Sequence, residues 1–285
     1  MTTATTTRAN RTRRFPYRMI WLYPLLALLA LTILFPLAWM FYSAFKTNSA
    51  VLANPFSFPL HPTLANFRAL LSEGELPFWL RNSALVTAVS VVLVVGLSAA
   101  AAYGFSTFEF RGKNLLFAFL ILGLMIPPQA LVIAGFKWLS ILHLTDSFGG
   151  LIFTYCSWTP FGILVLRNFF DSIPKDLREA ATIDGASHFT IFWRVLLPLA
   201  RPAVSTIAIF NVVWIWNDFI YPLVYLQSQD KYTVPVGVLQ FQGRSTSAIG
   251  EQMAVLAVAT AVPLLVYFLF RRHFVRGVLE GAVKG

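Results

Sequence analysis

Residues 179–202 read EAATIDGASHFTIFWRVLLPLARP. They form a charged, amphipathic stretch in a chain that is otherwise almost wholly apolar. Pro174 just upstream suits the first turn of a helix, and Asp176 and Glu179 suit its N-terminal half. Gly185 supplies a left-handed residue that would end this helix near Asp184. Ser187 can cap a second helix. In that helix Phe189, Phe192, Trp193 and Leu196 recur at i, i+3, i+4 and i+7, which predicts one apolar ridge, closed by Pro198. The expectation is a helix–turn–helix with an apolar face and carboxylates beside it. Such a unit could lie on a membrane surface or dock onto a partner, and periodicity alone does not choose.

The rest of the chain supplies the setting. Hydrophobic residues make up 57% of the 285 residues and charged residues only 12%, about half the charged share of a typical soluble domain. Six apolar segments have spanning length, at about 19–45, 80–106, 114–136, 148–168, 203–227 and 251–270. Each approaches the roughly 20 residues that cross about 30 Å of hydrocarbon, and each must be helical, because lipid satisfies no open backbone. The apolar run of the first exceeds that of a cleaved leader, so it reads as a retained anchor. The expected class is therefore an all-α integral membrane protein: a basic tail over 1–18 and a single transmembrane domain over 19–285. The net charge of +10 does not call for nucleic acid in such a protein.

Basic residues orient the spans. With the N-terminus inside, the inner segments hold sixteen Lys and Arg and the outer ones six, which places both termini in the cytoplasm. Residues 171–202 then lie inside, between spans four and five. Trp39, Trp79 and Trp138 fall near outer ends as expected interfacial anchors, and Trp21 near an inner end. Residues 46–79, with Pro55, Pro59 and Pro62, read as an irregular outer segment, and 228–250 as a polar connector. The small residues from Ser98 to Ala102 predict close helix packing, and Pro127-Pro128 predicts an interruption of span three.

Several functions lose support. No G-x-x-x-x-G-K-[ST], H-E-x-x-H or G-x-S-x-G occurs, so the chain carries no P-loop and neither of those hydrolase motifs. The four histidines show no ligand spacing, and the single Cys156 allows no intrachain disulfide. Catalytic and metal-ligating residues are expected to be none.

Glu179-Ala180-Ala181, Asp184-Gly185-Ala186 and Leu197-Pro198 resemble the EAA loop of permease subunits of binding-protein-dependent ABC importers. Met125 to Gln129, Trp216-Asn217-Asp218-Phe219 and the C-terminal Gly281 to Gly285 are similar to the maltose-type carbohydrate permeases, in particular the shorter, six-span partner of the heterodimer. The resemblance implies a type I ABC importer permease fold in a bacterial or archaeal inner membrane. It implies a non-catalytic subunit working with a second permease, an ATPase dimer that binds the ATP and Mg, and an extracytoplasmic sugar-binding protein. On it, Glu179, Ala180, Ala181, Asp184, Gly185, Phe189, Leu197 and Pro198 couple to the ATPase, and Val283, Lys284 and Gly285 form a second ATPase contact. Gln242, Gly243 and Arg244 reach toward the binding protein.

Polar side chains inside the spans are the pathway candidates: Gln129, Tyr155, Asn211, Trp216, Asn217 and Asp218. Asp218 is the only acidic residue in the interior of a span, Glu251 standing at the very edge of the sixth, and either a translocation role or a structural hydrogen bond fits it. Two other functions remain as alternatives. One is an ABC permease for a non-sugar solute. The other is a secondary transporter using Asp218 as an ion or proton site, which leaves the EAA loop unexplained.

Overall fold

The computed structural model of the chain describes residues 21–72, 74–244 and 248–282, with the side chains of all of these except 244 and 271–282. The basic tail and the C-terminal candidates Val283, Lys284 and Gly285 lie outside these residues. The described residues form helices α1 (Leu22–Ser43), α2 (Asn48–Ala53), α3 (Ala65–Ser72) and α4 (Glu75–Thr107). These are followed by α5 (Lys113–Met125), α6 (Pro128–Ile141), α7 (Phe148–Ser172), α8 (Lys175–Ile183) and α9 (His188–Leu199). The chain continues with α10 (Arg201–Asn217), α11 (Ile220–Tyr225), α12 (Val234–Arg244) and α13 (Ile249–Ala282). Four helices, α1, α4, α7 and α13, are long and apolar enough to cross a membrane, and up to six crossings result if each sharply bent pair is one span.

Helix α4 is the centre of the bundle. It packs on α7, α10 and α12, and the small residues expected to allow this do so. Ser98, Ala99 and Ala102 are buried, and Ser98 Oγ donates to the Thr159 carbonyl at 3.1 Å. Opposite them sits Gly162, where an added Cβ would lie 2.4 Å from Ser98 Oγ. The backbones approach as closely as small side chains permit.

Prolines explain where the spans depart from continuous helices. Span three bends by 95° between α5 and α6, at the Pro127-Pro128 pair. The expected continuous fifth span, 203–227, is instead broken: α10 stops at Asn217 and α11 restarts at Ile220. Pro222 is the physical cause. It cannot donate to the Asp218 carbonyl, and its ring would collide with that group in an unbroken helix. The second helix of the opening stretch also does not end at Pro198. Residues Ile191–Leu196 wind as a π-helix, whose extra residue absorbs the bond Pro198 cannot make to Arg194. The helix runs on to Leu199 and then bends by 77° into α10, where Pro202 sits in the first turn.

The segments 46–79 and 228–250, expected on the outside, are more ordered than the sequence suggested. Within 46–79 lie α2, α3 and the start of α4 at Glu75. Lys46 is buried, and its ammonium donates to the carbonyls of Asn54 at 2.6 Å and Ser57 at 3.0 Å. Asn66 donates to the carbonyls of Ala44 and Lys46. The connector 228–250 contains α12, whose Val234, Val236 and Phe241 are buried. Gly237 lies on the Trp79 indole, so close that a Cβ there would fall 2.2 Å from the ring. Trp79 is therefore a core residue and not a lipid-facing anchor.

Candidate functional site

Three places hold the candidate residues: one end of the bundle, the level of the two broken spans, and the opposite end.

At the first end, α8 and α9 form the helix–turn–helix. Gly185 has φ +80°. Its N–H donates to the Thr182 carbonyl at 3.0 Å, and the Ala186 N–H donates to Ala181 at 2.9 Å. This pair of bonds is the Schellman ending that glycine at this place favours. Ser187 Oγ accepts from the Thr190 N–H at 3.3 Å and caps α9. The two turns leave Glu179, Ala180, Asp184, Gly185 and Phe189 exposed at the tip, beside Ile183, which is 86% exposed. Ala181 and Leu197 instead pack partly against the core beneath, and Pro198 is half-buried.

The expected ridge is split. Phe192 and Leu196 are buried with Ile191, whereas Phe189 and Trp193 face outward. The π-winding rotates the face by close to one residue per turn, so a 3.6-residue period no longer describes it. The outward pair leaves an aromatic patch next to the tip carboxylates.

Two side chains not singled out by sequence fasten this unit to α4 and α7. Arg178 donates to Ser106 Oγ at 3.3 Å, Thr107 Oγ1 at 3.4 Å and the Phe170 carbonyl at 3.4 Å. Tyr103 Oη donates to the His188 carbonyl at 3.2 Å and lies 3.1 Å from His188 Nδ1. Arg178 immediately precedes Glu179, and an arginine on an otherwise outward-facing helix was the available signal. Tyr103, Arg178, Glu179, Ile183 and His188 line a hollow of about 330 Å³ at the edge of the tip.

At the broken spans the pathway candidates separate. Tyr155 Oη donates to Asp218 Oδ2 at 2.7 Å, and the amides of Phe219, Ile220 and Tyr221 face the same carboxylate. Asp218 is thus tied within the chain. Gln129 and Asp218 border one hollow. The others do not join them. Asn211 is buried and donates to the Ile207 carbonyl at 2.9 Å. Trp216 is buried in a different cluster, with its indole N–H 3.4 Å from the Ala259 carbonyl. Asn217 is exposed and donates to Val213 at 2.7 Å.

At the opposite end, Asp146 holds two loops together. Its carboxylate accepts the N–H groups of Gln227 at 2.8 Å and Ser228 at 3.0 Å, the Ser228 hydroxyl, and the Lys231 ammonium at 2.9 Å. Partial burial opposes ionisation, but these donors outweigh it and hold the carboxyl well below its ordinary range. Asn82 donates to the carbonyls of Asp230 and Tyr232, and Ser83 Oγ accepts from the Val234 N–H. The segment entering α12 is therefore pinned on both sides. Gln242 and Gly243 sit at the far end of α12, half-buried and exposed in turn, and Arg244 is its last residue.

A family model, the binding-protein-dependent transport system inner membrane component, matches residues 80–280. The chain belongs to this family. Among relatives, the trehalose/maltose transport system permease protein MalG of Thermococcus litoralis is 34% identical, covering 90% of this chain and 94% of that one. The diacetylchitobiose uptake system permease protein NgcG of Streptomyces coelicolor is 32% identical, over 92% and 88%. The multiple sugar-binding transport system permease protein MsmG of Streptococcus mutans is 33% identical, over 93% and 96%. In structure, the chain is similar to one from a bacterial ABC transporter that imports the acidic polysaccharide alginate. The TM-score is 0.81 at 24% identity, over 94% of this chain and all of the other. The fold is that of an ABC importer permease, and as a member of the transport-component family this chain is a membrane protein.

Proposed function

We propose that this chain is one of two permease subunits of an ATP-driven sugar importer. Its helix–turn–helix seats on a separate ATPase dimer, which binds the ATP and Mg, so that the chain itself is non-catalytic. The observation that carries the coupling role is the exposed tip around Gly185. Glu179 and Asp184 flank exposed Ile183 and Phe189 on a unit clamped to the bundle by Arg178 and Tyr103. An apolar surface rimmed by charge is a common form for a partner contact. A sugar as solute is supported by the relatives, whose names specify trehalose/maltose, diacetylchitobiose and multiple sugars.

The tip then faces the cytoplasm, in agreement with the basic residues of the inner segments. The opposite end, with Gln242, Gly243 and Arg244, meets an extracytoplasmic binding protein. ATP-driven closure of the ATPase pair would shift the clamped unit and tilt the spans between two states. A secondary transporter would leave the exposed helix–turn–helix tip without a role, which speaks against that alternative.

The test is purification of the tagged chain from its native host, followed by reconstitution with its binding protein. Co-purification with an ATPase and binding-protein-stimulated hydrolysis are expected. Gly185→Asp should uncouple hydrolysis from uptake, and deletion of 242–246 should slow release from the binding protein with assembly intact. Uptake driven by an ion gradient without any ATPase would overturn the reading.

A further inference from the structure

Residues 54–62, between α2 and α3, do not rise away from the end of α1. They turn back along it. The Phe56 ring lies 6.0 Å from that of Trp39 and stacks on Phe35 at 6.2 Å, and Phe58 meets Tyr42 at 5.8 Å. Phe35 is eight residues before Ser43, the last residue of α1, which is about 12 Å along the helix. The 22 residues of α1 are about as long as the hydrocarbon is thick. The Phe56 ring therefore stands inside the membrane boundary and not above it. Phe56, Phe58 and Leu60 are 71%, 73% and 87% exposed.

The backbone of this loop is equipped for such a depth. Four successive carbonyls accept from side chains of the same chain. The Lys46 ammonium donates to Asn54 at 2.6 Å and to Ser57 at 3.0 Å. The Trp39 indole donates to Pro55 at 2.8 Å, and Tyr42 Oη to Phe56 at 3.1 Å. Pro55, Pro59 and Pro62 bring no N–H to satisfy. Solvent would serve these carbonyls in a loop that stands in water. In lipid an open carbonyl is costly, and irregular backbone persists only where protein satisfies it. A docked protein would supply donors of its own across a partly polar contact. This loop instead turns its carbonyls inward and presents Phe56, Phe58 and Leu60. Between the loop and α1 is a hollow of about 500 Å³ bordered by Ala38, Phe41, Phe45, Phe58 and Pro59. Walls of this kind exclude water and accept hydrocarbon.

We infer that residues 54–62 are an interfacial loop set into the acyl boundary of the bilayer leaflet at the C-terminal end of α1, the outer leaflet in the orientation proposed above. Its occupant is lipid, with an acyl chain in the hollow. Trp39, Tyr42 and Lys46 hold the loop at this depth by closing its carbonyls. This contact is independent of the solute and of the ATPase.

The test uses the complete transporter, carrying Cys156→Ser, in phosphatidylcholine nanodiscs that leave both faces open to solvent. Phe58→Cys, Leu60→Cys or Gly243→Cys then takes an environment-sensitive nitrobenzoxadiazole label. Labels at 58 and 60 should be quenched by phosphatidylcholine spin-labelled near its headgroup, and should be quenched by aqueous iodide at least about threefold less than the label at 243. Trp39→Phe combined with Tyr42→Phe keeps both rings and removes two of the donors. In that background iodide quenching at 58 and 60 should rise at least about twofold, because the freed carbonyls seek water. Iodide quenching at 58 and 60 equal to that at 243 would put the loop in water and overturn the inference. Protection from both quenchers would put protein, such as the second permease, over the loop and overturn it as well. Iodide quenching that does not change in the combined variant, with the complex still assembled, overturns the holding role of Trp39 and Tyr42.

Discussion

Replacing Gly185 by a graded series of residues tests the coupling role most directly. The residue stands at φ +80°, yet a Cβ added there meets nothing within 4 Å. Substitution therefore strains the backbone without disturbing packing. A non-glycine residue in the left-handed region costs about 1–2 kcal/mol. Escaping that strain means losing the bonds from Gly185 to Thr182 and from Ala186 to Ala181, each worth about 1 kcal/mol. The two costs are similar, so in the variants a sizeable fraction of molecules should re-aim α8 against α9. Asn tolerates the left-handed region better than Ala, and a β-branched Val tolerates it least. Uptake per ATP hydrolysed, measured in proteoliposomes, should fall in the order Gly, Asn, Ala, Val. At about 1.4 kcal/mol per tenfold, the strain moves the turn equilibrium about fivefold to thirtyfold, which with the two costs near balance lowers uptake per ATP in the Ala variant by up to about twofold. Thermal stability of the solubilised complex should change little across the series. If Val couples as well as Asn, or if coupling falls only in step with lost assembly, the reasoning about this turn is wrong.

Three further outcomes are expected. Asp146 has a folded pKa below its ordinary value, so its stabilisation is present above about pH 4 and is lost as pH falls through the lower folded value. Melting of the solubilised protein should therefore show a deficit for Asp146→Asn at pH 5–7 that shrinks toward pH 2–3, and a pH-independent deficit would refute the ionic part of the latch. Gly162→Ala should destabilise by about 1–3 kcal/mol through overpacking against Ser98, and Ser98→Gly should restore much of the loss in the double variant; an additive double variant would deny the contact. A cysteine at Ile183 should react with an impermeant maleimide only from the cytoplasmic side and one at Gly243 only from the outside; the reverse pattern would invert the proposed orientation.

The parts of the fold set by local chemistry were legible in the sequence. Gly185, Ser187 and Pro127-Pro128 act on their immediate neighbours, so their consequences follow from residue type alone. The Ser98 to Ala102 run was legible for a related reason: small side chains at membrane depth have few uses besides close packing. What stayed hidden depends on distance in the chain. Pro222 breaks the helix four residues before itself, and Pro198 changes the winding of the turn preceding it, which split the expected ridge of Phe189, Phe192, Trp193 and Leu196. Trp79 looked like an interfacial anchor because its position along the span fits one; Gly237 and other residues far along the chain, among them Val234, Val238 and Phe241, make it a core residue. Among the pathway candidates, a polar type at the right depth did not distinguish Asn211, bonded within its own helix turn, from Gln129, which borders a hollow.

The 33 residues of α4 form one uninterrupted helix, roughly 50 Å long at 1.5 Å per residue. Beside it, the chain over 113–141 and 188–225 is bent or broken. Mechanically the bundle is one stiff beam among jointed neighbours. Tyr103, Ser106 and Thr107 join one end of the beam to the helix–turn–helix, and Trp79, Asn82 and Ser83 join the other to the segment that leads into α12. A tilt of about ten degrees in a beam of this length displaces one end relative to the other by roughly 9 Å. A small rotation at one face would therefore appear as a large excursion at the other, while the jointed helices absorb the change in angle.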